Sequence, residues 1–372
     1  MILAMTAAAI PHPDPLPLPA PPGLIWMLLL LTFLLHLLPM NLVLGGSILA
    51  PLSRLRSTGV RGAHHRQLLK VLSKAMPSAV AAAITLGVAP LLLAQVLYGR
   101  LFFTSSILMA WFWLAVIPLL VIGYYGTYLI AFKGEALGSL RELTGWLVAL
   151  VFLAIAFIYT NNMSLMLRPA EFVSRYHESG RGLQLNLGDP TLAPRFLHML
   201  LGALAVSGMV VAIYGLLRRS RDAAFGAWAV RYGSLWFSVA TAANLMVGVW
   251  WLIALPRESM LRFMGQNLLA TISLGAGILF ALGTLILTLL AVQAPRPERL
   301  AQGGVVTLLL TLIAMILVRD QVRQGALARA GFEPVAWIAP QWGPLVLFLL
   351  LLVGAIGTVV WMVVALARES AA

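Results

Sequence analysis

Nine stretches of the chain are continuously apolar over roughly the length a helix needs to cross a bilayer, about 17–25 residues. They cover 24–50, 75–98, 103–132, 145–166, 197–217, 232–255, 267–293, 303–318 and 343–367, and none contains Asp, Glu, Lys or Arg. The eighth is the shortest. Connections are mostly short, so neighbours in sequence are expected to be antiparallel neighbours in space. The pattern predicts an all-α fold: a polytopic membrane helix bundle of about nine transmembrane helices. Residues 1–22 precede it, with seven prolines between positions 11 and 22. Such a run is extended and cannot be helical, so 1–22 reads as an external proline-rich strap and 23–372 as one transmembrane bundle. The two longest connections on the strap side are 167–196 and 319–342.

Composition sharpens this picture. The 372 residues are 61% apolar and 10% charged, against roughly 25% charged in soluble domains. A water-soluble enzyme is excluded, and membrane lipid is the solvent. Cysteine is absent, which removes disulfides, iron–sulfur clusters, thiol catalysis and covalent haem attachment through C-x-x-C-H. The net charge is +13. In so apolar a chain it reads as a topology signal and not as affinity for nucleic acid. The connections after spans one, three, five and seven, with the C-terminus, hold 15 basic and five acidic residues; the other side holds 10 and seven. Cytoplasmic loops retain Lys and Arg. The N-terminus is therefore expected outside and the C-terminus inside, in a multi-pass protein of the cell's inner (cytoplasmic) membrane.

Ionisable side chains inside a membrane are costly and point to function. Two histidines qualify: His36 in LLHLLPMNLVLGG of the first span, and His198 in PRFLHMLLGALAVSG at the start of the fifth. His12, His64, His65 and His177 fall in connections and read as ordinary solvated residues. A span histidine can relay protons, pack against a carbonyl, or ligate a metal or haem. Proton relays come with Asp or Glu, and no span has either. Two histidines at similar depth shift the weight towards ligands of a buried iron porphyrin. Gly202, one turn beyond His198, leaves room for a flat macrocycle, and Arg195, three residues before it, suits a propionate. Gly45 and Gly46 permit close approach near His36 or mark helix packing. Met264, in ESMLRFMGQNLL, is a candidate second axial ligand. No phosphate or dinucleotide loop occurs.

These residues resemble subunit I of the cytochrome bd family of quinol oxidases, in the same order from the first span to the eighth. Leu30 to Gly46 around His36 is similar to that family's first span. Lys74, Leu86-Gly87-Val88 and Gln95 to Arg100 are similar to its second span and the following loop. Thr160-Asn161-Asn162-Met163-Ser164 and Asn186 to His198 resemble the approach to its fifth span, and the likeness continues through Arg218 and Arg221-Asp222-Ala223-Ala224-Phe225. The resemblance implies that His198 ligates a low-spin haem b, with Met264 opposing it, and that His36 serves a second, oxygen-side haem centre. Asp320, in Asp320-Gln321-Val322-Arg323-Gln324, falls where the family has a haem-ligating Glu. Further membrane subunits are implied too. The departures are equally specific. The third span, SSILMAWFWLAVIPLLVIGYYG, lacks the family's glutamates. The quinol-binding loop shrinks to Pro256–Gly265, and Gly-Arg-Gln-Pro-Trp becomes Val322-Arg323-Gln324-Gly325-Ala326.

Three readings follow. The first is a haem b-binding electron-transfer protein that passes electrons between membrane quinol and a partner such as an external c-type cytochrome. The second is a divergent quinol:oxygen oxidoreductase subunit. The third is a cofactor-free scaffold or transporter component with the same fold.

Overall fold

In hydrocarbon, backbone N–H and C=O groups have no water to bond, so a long apolar segment satisfies them internally as a helix. A computed structural model describes residues 16–59, 62–138, 140–332 and 337–369. Most of the strap, His12 included, lies outside the described residues. Nine helices among the described residues are long and apolar enough to span. In chain order the helices are α1 (Pro22–Leu55), α2 (Ala63–Leu108), α3 (Ala110–Lys133), α4 (Leu140–Leu165), the short α5 (Phe172–Glu178), α6 (Leu192–Arg218), α7 (Ala223–Ala254), the short α8 (Arg257–Leu261), α9 (Leu268–Gln293), α10 (Glu298–Arg329) and α11 (Trp342–Glu369). All nine expected spans are present, and no strand forms among the described residues. Leu18 makes a single bridge to Ile338.

Three local expectations are corrected. The third span begins at Ala110 and not at 103, because the chain breaks at Met109 (φ −109°, ψ 25°) and 103–108 finish α2. The break is held from far away in sequence. The Trp111 N–H donates to Gly182 O at 3.1 Å, and the Gln184 N–H donates to Leu108 O at 2.9 Å.

The eighth span is not short, and 319–342 is not one long loop. The helix runs on to Arg329, carrying Asp320 and Arg323 inside. Their charges pair with each other one turn apart on the same face, which offsets the burial that would otherwise end a span.

His64 and His65 are not solvated loop residues either. They lie in the first turn of α2, with ring centroids 5.4 and 4.9 Å from that of Trp228. His177 lies in α5.

The end of the bundle where α1 begins is the strap end. There, Leu18 N–H donates to Trp337 O and Ala339 N–H to Leu18 O, at 2.9 and 3.0 Å. These bonds tie the start of α1 to the start of α11. From the middle of the bundle to its far end, α6 and α7 approach at glycines: a Cβ on Gly208 would sit 2.7 Å from Gly233 O, and one on Gly215 2.7 Å from Val230 N. Small residues of this kind let membrane helices pack backbone to backbone.

Candidate functional site

Helices α1 and α6 both leave the strap end and cross where Gly45 meets Ala203 and Ser207. A Cβ on Gly45 would lie 2.3 Å from Ala203 O, and Ser207 Oγ donates to Asn41 O at 3.0 Å. Gly45 thus serves helix packing, as does Gly46, whose Cβ would meet Met76 Cε at 2.9 Å. His36 lies nine residues before Gly45, and His198 nine before Ser207. Both histidines therefore sit at comparable depth, about 13 Å of helix from the crossing, on its strap side.

His36 faces α2. Its Nδ1 lies 2.9 Å from Ala83 O. A carbonyl only accepts, so Nδ1 carries the hydrogen and Nε2 of the neutral ring keeps its lone pair. This second contact fixes the tautomer, as it does for metal-ligating histidines in general. Gly87, one turn along α2, makes room for the ring: a Cβ there would lie 2.8 Å from Cε1.

His198 faces α7. A Cβ on Gly248 would lie 3.4 Å from its Cε1 and 3.5 Å from Nδ1. The Asn244 backbone approaches the ring, but Nδ1 is buried without a hydrogen bond of good geometry. Gly202, expected to admit a macrocycle, instead faces Asn244 Nδ2 at 3.6 Å from its notional Cβ. Gly87 and Gly248 are the glycines opposite the imidazoles, and they sit on partner helices where local pattern around each histidine could not reveal them.

Between the histidines and the strap end lies a polar cluster. Asp320 pairs with Arg323 and accepts from Trp26 Nε1 at 2.8 Å and Gln324 Nε2 at 2.7 Å. Both carboxylate oxygens are thus engaged by three donors. The Arg323 guanidinium also lies 4.6 Å from the Tyr98 ring centroid. Tyr98 stands at a kink in α2 (φ −130°, ψ 26°).

Arg195 donates to Thr191 Oγ1 at 3.4 Å, and its Nε is buried without a partner. Asp189, in the connection before α6, is the carboxylate on its side. Burial pushes the Asp189 carboxyl up, yet hydrogen bonds from Ser164 and Thr191 and the Arg195 charge outweigh it and hold the group below its ordinary value.

Met264 occupies a π-type turn at Arg262–Gln266, with non-helical backbone (φ −99°, ψ 28°), and the residue is 54% exposed. Beside that turn a cleft of about 360 Å³ is lined by Glu258, Arg262, Gln266, Gly325, Ala328 and Arg329. Among the described residues no three His, Asp or Glu converge to hold a bare ion. One imidazole per site suits a metal that arrives with four ligands of its own, as iron does in a porphyrin. The tautomer at His36 fits such a group, while Gly87 and Gly248 make room for the imidazoles themselves.

The site is that of a polytopic membrane protein with two intramembrane histidines near one end. No protein-family model and no curated protein matches the sequence. Among solved structures the chain is similar to one of the bd oxidase from Geobacillus thermodenitrificans. The TM-score is 0.77, over 95% of this chain and 100% of that one, at 13% identity. At that identity the likeness is one of fold, and this chain has a bd oxidase-like membrane fold.

Proposed function

We propose that the chain is a haem b-binding membrane electron-transfer protein, which passes electrons between membrane quinol and a redox partner such as an external c-type cytochrome. The observation that carries this reading is His36. An imidazole well inside a span donates from Nδ1 to Ala83 O at 2.9 Å, and this leaves Nε2 with its lone pair free. His198 is the second ligand. An iron porphyrin bound at either histidine supplies a one-electron couple whose potential is set by axial ligand and burial.

The chain's own residues then have distinct tasks. Ala83 and Gly87 orient His36, and Gly248 gives His198 its space. Arg195 is placed to meet a propionate. Asp320, engaged by three donors, anchors α10 and is assigned to structure and not to iron. Met264 is left as the candidate opposing ligand of His198. The cleft beside the π-type turn, lined by Glu258, Arg262 and Arg329, is the candidate place for a quinol head group although the connection there is short. The wider reading carries the strap outside, the C-terminus inside, and further membrane subunits.

A reduced-minus-oxidised spectrum of the detergent-purified chain tests the reading. The expected result is a low-spin b-type band that is lost in His198→Ala and unmoved by carbon monoxide. A carbon monoxide-sensitive high-spin signal would replace it with the oxygen-reducing reading. No haem band at all would leave a scaffold.

A further inference from the structure

The extension of α10 past residue 318 carries Arg319 with it, close to Arg195 and Arg323. Arg323 is committed to Asp320. Asp189, the carboxylate near Arg195, already accepts from Ser164, Asn186 Nδ2 and both the backbone and hydroxyl of Thr191. Arg195 keeps a buried, unpartnered Nε. Arg319 makes no hydrogen bond or ion pair among the described residues. Its guanidinium lies over the Phe33 ring, 4.3 Å from the centroid. A ring face attracts a cation but does not cancel its charge. The arginine stands level with Phe33, eleven residues past the start of α1, and its side chain is exposed.

Unpaired charge at such depth is expensive, and a bound anion is what relieves it. The placement says which anion. Phe33, under Arg319, stands three residues before His36; Arg195 stands three residues before His198. Each guanidinium is therefore one helical turn towards the strap end from a candidate iron ligand. A planar ligand centred on an imidazole, with carboxylates along one edge, meets this arrangement. We propose that Arg319, acting with Arg195, is a carboxylate clamp that reads the two propionates of the porphyrin. This rests on the haem reading above and adds to it a residue that the sequence placed in a loop.

The test compares haem b with its dimethyl ester, which keeps iron and ring but lacks both carboxylates. Each is titrated into the full unloaded chain in detergent and followed by its absorption band. Wild type is expected to prefer the free acid by about tenfold or more, the worth of one charge-assisted hydrogen bond. Arg319→Gln should lose that preference, and Arg319→Lys should keep much of it. Heat unfolding of the unloaded proteins controls for folding, and Arg319→Gln should resist heat at least as well as wild type, since an unpaired charge within the span is gone. An undiminished preference in both Arg319→Gln and Arg195→Gln overturns the clamp alone. Binding of neither compound by wild type overturns the haem reading and the clamp together.

Discussion

The glycines opposite the two histidines tolerate a side chain very differently. A methyl at Gly87 would press on His36 at 2.8 Å from Cε1 and 2.9 Å from Nδ1, so the ring must move and its bond to Ala83 must stretch. Overpacking of this kind costs about 1–3 kcal/mol. Gly87→Ala should therefore strip the His36-dependent part of the haem spectrum while the His198 band persists. A methyl at Gly248 meets His198 at 3.4 Å, near ordinary contact, and Gly248→Ala should leave its band close to wild type. Equal spectral loss in both variants would contradict this geometry. Asp189 carries a pH prediction. Its folded value lies below that of an ordinary carboxylate, so its stabilisation is full above about pH 3.9 and drains away as pH falls through the folded value. Melting curves of wild type and Asp189→Asn should differ at neutral pH and converge in acid. A gap that stays constant to the lowest pH would show that the carboxylate's charge is not what stabilises the loop.

At the scale of elements, the hydrophobic pattern made all nine spans legible, because in lipid an apolar run of sufficient length has one backbone solution. What it could not show is how a span ends when distant residues decide. Met109 breaks the chain because Gly182 and Gln184 supply the backbone partners there. Helix α10 passes through Asp320 and Arg323 because they neutralise each other and because Trp26, on α1, completes the carboxylate. Both histidines of the candidate site were visible as lone ionisable groups in apolar runs. Gly87, Gly248 and Arg319 were not, since each acquires its meaning only from a facing helix. The pair in α10 gives a quantitative test. Asp320→Ala leaves Arg323 buried without its partner and should cost about 3–5 kcal/mol in unfolding. Adding Arg323→Met to Asp320→Ala should recover much of that loss, because an apolar pair of similar bulk suits the site. A double variant no better than the single would mean that Trp26 and Gln324, not the ion pair, are what the carboxylate anchors.

For the whole molecule, the question that decides function is which end faces which compartment. Helix direction puts both histidines, the arginine cluster and the cleft at Glu258 in the strap half. The loops after the first, third, fifth and seventh spans lie at the other end and hold, with the C-terminus, 15 of the 25 basic residues. If Lys and Arg mark the cytoplasm, every candidate redox group lies towards the outside, where an external cytochrome can reach it. A phosphatase that is active only outside the membrane should then be inactive when fused to the C-terminus, and a fluorescent protein fused there should be bright. Replacing Arg54, Arg56, Arg66, Lys70 and Lys74 together by Gln removes the densest basic cluster and should yield a mixed population with some phosphatase activity. An active phosphatase on the unmodified chain would turn the bundle over. It would place His36 and His198 towards the cytoplasm, and the electron acceptor would then have to be sought on that side.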